Sequence, residues 1–436
     1  MTATETHQAI AAVWRIESAR LIAGLARMVR DLALAEDLAQ DALVAALERW
    51  PTSGIPDNPG AWLMASAKHR AIDLLRRNKL LERKHEQLGR ELEARQDAPA
   101  VDLDAAIDDD VGDDLLRLML TTCHPALSIE ARTALTLRLL GGLTTGEIAR
   151  AFLVPEATVA QRIVRAKRTL AEARESFAVP RGEERAARID SVLGVIYLIF
   201  NEGYSATAGD DWMRPALCEE ALRLGRILAE LAPGEPEVHG LVALMEIQAS
   251  RAAARDGAAG EPILLLDQDR GRWYHVLIRR GLAALERAER LGGAQGAYAL
   301  QAAIAACHAR ARIGAETDWA RITALYEALA RIAPSPIVEL NRAVAIGMAL
   351  GPAAGLARVD ALVAEPALRS YHLLPSVRGD LLVKLGRPDE ARVEFERAAA
   401  LTQNRRERTL LLGRAAACVR ERSPDAVRDR HSTPAP

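Results

Sequence analysis

Apolar positions along this chain recur at helical rather than strand spacing. Ala35, Leu38, Ala39, Ala42, Leu43, Ala46, Leu47 and Trp50 fall at three- and four-residue intervals, which puts them on one face of a helix. Glu36, Asp37, Gln40, Asp41 and Glu48 take the opposite face, where exposed carboxylates ordinarily only solubilise. The stretch from Pro51 to Gly60 is dense in turn formers and is expected to end that helix. A new helical run opens at Trp62 and is strongly basic from Lys68 to Lys84, with Arg76, Lys79 and Arg83 in one stripe.

Periodicity stops after residue 90. Residues 91–114 hold ten acidic side chains against one basic, Arg95, and such a block repels itself, so it reads as a linker. A second small helical domain is expected over 115–178. Within it Thr144-Thr-Gly-Glu147 has the spacing of a capping box and starts one short helix. Leu153-Val154-Pro155 reads as a turn, and a second helix follows from Glu156 to Glu175.

From 185 to 421 the pattern is Ala/Leu-rich helix broken by short turns. Gly379, Gly386, Ala391, Phe395 and Ala398 match the small and aromatic positions of a tetratricopeptide unit. A second candidate unit carries Ala343, Gly351, Gly355 and Val359, and a weaker third runs from Ala303 through Tyr326 to Pro334. A helical-hairpin solenoid is expected here, with residues 422–436 as a disordered tail.

Composition agrees. Half the residues are hydrophobic but only 4% are aromatic, so the apolar content is mostly Ala and Leu, the strongest helix formers. The fold class predicted is all-α, and 436 residues make about three domains. Net charge is only −2, so any nucleic-acid binding must come from local distribution rather than from a polycation. Cys123, Cys218, Cys307 and Cys418 are far apart with no C-x-x-C, which suggests neither a disulfide framework nor a metal site and fits a reducing cytosol. Residues 1–12 have no signal-peptide pattern, and the apolar run Val192 to Phe200 is too short to span a bilayer, so a cytoplasmic location with no membrane is expected.

The helix pair at 144–175 carries the sharpest chemistry. Thr158, Gln161, Arg162 and Arg165 recur at i, i+3, i+4 and i+7 and share one face, while Val159, Ile163 and Leu170 suit the buried side. With Lys167 and Arg168, that second helix has the make-up of a recognition helix in a helix-turn-helix. Gln can read adenine and Arg guanine in the major groove, and the other basic groups meet phosphates. Catalysis finds no support: there is no Walker A, G-x-G-x-x-G or H-E-x-x-H. Cys123-His124 and Cys307-His308 are sequence neighbours that point apart on a helix. No enzyme activity, catalytic residue, cofactor or metal is expected.

Taken together, these segments resemble the extracytoplasmic-function (ECF) sigma factors of bacterial RNA polymerase. Residues 1–90 look like their region 2, with Ala35-Glu-Asp-Leu-Ala-Gln-Asp41 as the docking segment. The resemblance implies that Glu36, Asp37, Gln40 and Asp41 bind the clamp helices of the polymerase's largest subunit. It implies that Trp62, Lys68, His69, Arg70, Arg76 and Arg77 engage the −10 element, with a base-holding loop at about Ser66 to Arg70. Many members carry Asn in that loop where this chain has Lys68-His69. Residues 115–178 look like region 4, which implies −35 recognition by Thr158, Gln161, Arg162, Arg165, Lys167 and Arg168 and contact with the polymerase flap.

Thr121-Thr-Cys-His-Pro125, Phe200 to Thr207, Leu266 to Trp273 and Glu339 to Ala343 are similar to strings of the subgroup with a tetratricopeptide-like C-terminal extension. Asn201, Glu202, Tyr204, Asp267, Asp269 and Arg270 are candidates there for a surface taking a protein or small-molecule regulator. The competing reading is polar networking inside the solenoid. A stand-alone helix-turn-helix regulator with a sensing repeat domain is the alternative for the whole chain, and a docking helix plus a −10 helix would have no use in it.

Overall fold

A computed structural model describes residues 3–89, 111–172, 180–257 and 260–420. Most of the 91–114 linker and the 422–436 tail fall outside them. The chain divides into two compact units, residues 1–198 and 199–436. The fold is all-α: eighteen helices are described, and the only strands among the described residues are two of two residues each.

The first unit begins with α1 (Ala3–Val29), α2 (Leu32–Ser53) and α3 (Pro59–Gly89). Asp31 caps α2 by accepting from the amides of Ala33 and Leu34 at 2.8 and 3.0 Å. The predicted stripe is the buried face: Ala35, Leu38, Ala39, Ala42, Ala46 and Trp50 are all in the core. Leu43 is half-buried and Leu47 exposed, so the stripe is narrower than the sequence suggests. Asn58 then caps the start of α3, its Oδ1 accepting from Ala61 at 3.0 Å.

Two expectations need correction. There is no loop at Ser66 to Arg70, because α3 runs unbroken through it. Residues 61–88 contain neither Gly nor Pro, and the His69 ring sits 2.7 Å from the Ala65 carbonyl one turn back, so nothing interrupts the helix. The linker also ends earlier than residue 114, since α4 spans Val111–Thr122. Acidic side chains suit a helix N-terminus, and Asp114 is buried there against Arg27 of α1 at 3.0 Å.

The unit continues with α5 (Ile129–Leu139), α6 (Thr145–Phe152), α7 (Glu156–Glu172) and α8 (Gly182–Tyr204). Both arms of the capping box at Thr144 and Glu147 are present. The turn to α7 relies on Leu153 in the left-handed region (φ 50°), with Pro155 leading α7. Ser191 of α8 braces this domain by accepting from Arg132 at 3.0 Å and donating to the Cys123 carbonyl at 2.5 Å.

In the second unit, helices α9 (Pro215–Leu231), α10 (Pro236–Ala249), α11 (His275–Arg290), α12 (Ala297–Arg310), α13 (Trp319–Ile332), α14 (Pro336–Leu350), α15 (Pro352–Leu362), α16 (Leu373–Lys384), α17 (Pro388–Leu401) and α18 (Arg405–Arg420) pack mostly on their chain neighbours, the pattern of a helical-repeat, tetratricopeptide-like array. Two of the three repeat units read from sequence sit as expected. Ala391, Phe395 and Ala398 are buried, and Gly379 abuts the Phe395 ring. At the α14–α15 crossing Gly347 and Gly355 touch backbone to backbone, and a Cβ on Gly355 would lie 2.7 Å from the Gly347 Cα. Gly355→Val is expected to destabilise the chain by about 1–3 kcal/mol through overpacking, read as a lower denaturation midpoint at unchanged m-value.

A parallel clasp of β1 (Ala208–Gly209) with β2 (Gln403–Asn404) ties the start of this unit to its end. Asn404 is fully buried and holds the clasp, its Nδ2 donating to the Asp211 carbonyl at 3.1 Å and its Oδ1 accepting from the amides of Arg406 and Glu407.

Candidate nucleic-acid interface

On α7 the recognition face is laid out much as the spacing implies. Val159, Ile163, Ala166 and Leu170 are buried against the domain. Gln161, Arg165 and Arg168 are exposed, and Thr158 and Arg162 are half-buried. Arg162 stands near Glu130, whose carboxyl is held below its usual range first by its own backbone amide, then by Ser128, with Arg162's charge adding to them. Arg168 pairs one turn ahead with Glu172 at 2.6 Å.

Lys167 is the exception. It lies four residues after Ile163 and three before Leu170, so the helix turns it toward the buried side. There it bonds the carboxylate of Glu36 on α2. Arg138 of α5 reaches the other oxygen of Glu36 at 2.9 Å. Glu36, expected on an exposed face, is therefore only 5% exposed and joins the first and second small domains.

A carboxylate held by two cations is strongly placed, and removing it leaves both without an anion. Glu36→Gln is expected to cost about 1–3 kcal/mol and to loosen the packing of the two domains. Urea unfolding with probes in each domain measures both; an unchanged midpoint would contradict the role of this bond.

The other docking candidates stay at the surface. Asp37 and Asp41 are exposed, and Gln40 is half-buried with its Nε2 donating to Glu36 at 3.0 Å. Asp41 also lies 3.1 Å from Arg70 of α3, which links the acidic face to the basic helix.

Between α2 and α3 an open hollow of about 380 Å³ is lined by Ala45, Arg49, Trp62, Ser66, His69 and Arg70. Trp62 packs edge-on against the buried Trp50 ring, centroids 5.3 Å apart, and shows its other side to the hollow. Lys68 is half-buried and does not line it, whereas Arg76 and Arg77 are exposed one to two turns further along α3. The side chains of Lys79 and Arg83 lie outside the described residues. Arg49 was missed from sequence because it precedes a turn-rich segment and belongs to no basic run.

Both cysteine–histidine neighbours are buried. Burial pushes the Cys123 thiol up to about 11, and it sits 3.4 Å from the Thr136 hydroxyl. Burial likewise raises Cys307 and lowers His308 to about 4, with Arg251 and Arg270 repelling its charged form.

The C-terminal candidates divide. Glu202 is buried in an ion pair with Arg214, Asp269 caps the turn at Gly271 at 2.9 Å, and Arg270 donates to the carbonyls of His308 and Ala311. Those three stabilise the array from within. Asn201 and Asp267 are exposed, while Tyr204 stacks on Phe200 and takes a hydrogen bond from Arg251.

Comparison with known proteins agrees with this layout. Residues 16–80 match the family described as Sigma-70 region 2, and residues 117–170 match Sigma-70, region 4. Residues 188–289 match a family of unknown function, DUF6596. The ECF RNA polymerase sigma factor SigK of Mycobacterium ulcerans (strain Agy99) is 31% identical over 152 residues, 34% of this chain and 75% of SigK. The uncharacterized protein R00370 of Rhizobium meliloti (strain 1021) is 45% identical over 381 residues, 87% of this chain and 89% of that one. The crystal structure of yeast Tom70 aligns over 93% of this chain and 85% of its own at 10% identity, with a TM-score of 0.37, below that of a shared fold.

Two small helical domains in this order, the second a helix-turn-helix, define a sigma-70-class transcription initiation factor. Within that class the chain belongs to the ECF-like sigma factors and carries a helical-repeat C-terminal extension. Membership brings binding to core RNA polymerase and promoter DNA. No helix among the described residues is long and apolar enough to cross a membrane.

Proposed function

We propose that this factor docks on the polymerase clamp through Asp37, Asp41 and the acidic face of α2, reads a −35 element with α7, and opens the −10 element at α3. The observation that carries the reading is the exposed polar stripe Gln161, Arg165 and Arg168, flanked by Thr158 and Arg162, on the second helix of a capped helix-turn-helix. Base edges are reached from such a stripe while phosphates fix its register.

The hollow beside Trp62 supports the second half. Opening a promoter requires a base to leave the stack at a cost of a few kcal/mol, which a protein pocket must offset. Trp62 supplies a ring, Ser66 and His69 supply polar atoms, and Arg49 and Arg70 supply charge for the neighbouring phosphates. Arg76 and Arg77 extend the backbone track. The helical-repeat unit then modulates initiation from outside the two promoter-reading domains.

The test is multi-round transcription with purified core polymerase, the full chain and a template pool randomised at the −35 and −10 positions. Transcripts sharing a sequence at both positions are expected. Absence of both transcripts and core binding would overturn the reading in favour of a stand-alone helix-turn-helix regulator.

A further inference from the structure

The second unit contains a cavity of about 280 Å³, just under the usual range of ligand pockets. One wall comes from the stretch after α10, with Ile263, Leu264 and Leu265. The facing wall comes from α16 and α18, with Leu410 and Leu411. Into this apolar space open three arginines, Arg251, Arg255 and Arg414, against a single lining carboxylate, Glu407.

Those charges do not balance at the cavity. Glu407 is already engaged, accepting from Thr402 at 2.9 Å and lying 3.2 Å from the His372 ring nitrogen. Arg414 has its own partner in Asp380. Asp256, beside Arg255 in sequence, accepts instead from the Trp212 ring nitrogen at 2.7 Å.

Arg255 is the residue left over. It is 6% exposed, and among the described residues no carboxylate lies within ion-pair distance of it. Its guanidinium is clamped between the Tyr204 ring at 3.5 Å and the Trp212 ring at 4.2 Å, and it donates to the Tyr204 carbonyl. Burial foremost, with the charge of Arg251 beside it, pushes Arg255 below its usual range. A buried cation is costly unless an anion accompanies it. Gln268, also buried on the lining, gives its amide nitrogen to Ile263 at 3.1 Å and leaves its Oε1 without a partner.

We propose that this cavity binds a small amphipathic anion, its carboxylate or phosphate-ester head set against Arg251 and Arg255 and its apolar body along Leu264, Leu265, Leu410 and Leu411. A cationic ligand is disfavoured, because the faces of Tyr204 and Trp212 already hold a guanidinium. The two walls come from segments some 150 residues apart in the chain, so an occupant stabilises the folded array by binding it and not the unfolded chain. Binding itself does not depend on the promoter reading; only its value as a signal to transcription rests on the proposed modulating role of this unit.

The experiment is isothermal titration of the full chain, without polymerase or DNA, with octanoate, octyl phosphate, octan-1-ol and octylammonium. At least one anion is expected to bind saturably, at 1:1, about tenfold or more tighter than octanol. Octylammonium is expected not to bind, and the two anions distinguish a carboxylate head from a phosphate one. Arg255→Met is expected to erase the preference for the anion while circular dichroism shows the helical content of the parent. Ser376→Phe, which fills the cavity and leaves the arginines in place, is expected to abolish binding of every probe. Should Arg255→Met fail to fold, the comparison with octanol and the Ser376→Phe chain still decide. Equal affinity for octanoate and octanol, binding of neither anion, or unchanged anion binding in Ser376→Phe would each overturn the proposal. Because no transcription is measured, failure here leaves the promoter reading intact, and failure of that reading leaves this result intact.

Discussion

Asp37→Arg combined with Asp41→Arg is expected to abolish co-purification with core RNA polymerase, with the helical content unchanged by circular dichroism. Both carboxylates stand exposed on α2, so the exchange alters charge without disturbing the core beneath, where Ala35, Leu38, Ala39 and Ala42 pack. Each reversal converts an attraction into a repulsion of similar size, about 1 kcal/mol at 4 Å in bulk water and about 4 kcal/mol at a protein surface. Under the proposed docking, two such changes set like charges against each other, which costs several kcal/mol. The two positions are not equivalent. Asp41 lies 3.1 Å from Arg70, so arginine there also opposes a neighbour in its own domain. Asp37 meets no cation among the described residues, and Asp37→Arg alone isolates the docking effect. Unaltered recovery of the double variant on core polymerase would sink the clamp assignment.

Gln161→Ala with Arg162→Ala is expected to leave core binding intact and to lower transcription from a −35-dependent promoter by about tenfold or more. Each bidentate contact to a base edge is worth about 1–3 kcal/mol of discrimination, and on α7 Gln161 is exposed and Arg162 half-buried. The variant should also flatten the base preference at the positions these side chains read, which distinguishes lost recognition from a misfolded domain. Lys167→Ala provides the contrast. Because Lys167 is turned to Glu36, its removal should spare base preference and weaken the packing between the first two small domains instead. Retained base preference in the Gln161/Arg162 variant would contradict −35 reading by this helix.

Local signals in the sequence carried much of the fold. The Thr144 box, the Pro155 start of α7 and the apolar stripe of α2 each depend on residues within one or two helical turns; the first two are present as read, and the stripe is present without Leu43 and Leu47 in the core. The same holds for Gly379 against Phe395, whose small-and-aromatic spacing implies the contact directly. What the sequence did not display were pairings between distant segments. Glu36 looks like any solvated carboxylate until α5 and α7 bring Arg138 and Lys167 to it, and no neighbour in the chain announces that meeting. Lys167 itself was legible: its offsets from Ile163 and Leu170 assign it to the inner side, and counting it with the basic residues by charge rather than by angle misplaced it. The supposed loop at Ser66 to Arg70 failed for the opposite reason, since the helix-forming composition there outweighs a resemblance in function. Arg251 and Arg255 went unremarked because a cavity built from residues near 204–268 and 372–414 has no image in a linear pattern.

The β1–β2 clasp has a consequence for how the second unit comes apart. An open stack of helical hairpins lets terminal repeats fray while the middle persists, because each repeat answers only to its neighbours. Joining Ala208–Gly209 to Gln403–Asn404 removes that freedom at both ends together. Release of the segment leading into α18 unseats Asn404 from the Asp211 carbonyl ahead of α9, so the clasp couples the two ends of the unit. Opening that reaches the clasp from one end is therefore expected to loosen the other in the same event, read as coincident loss of hydrogen-exchange protection at β1 and β2.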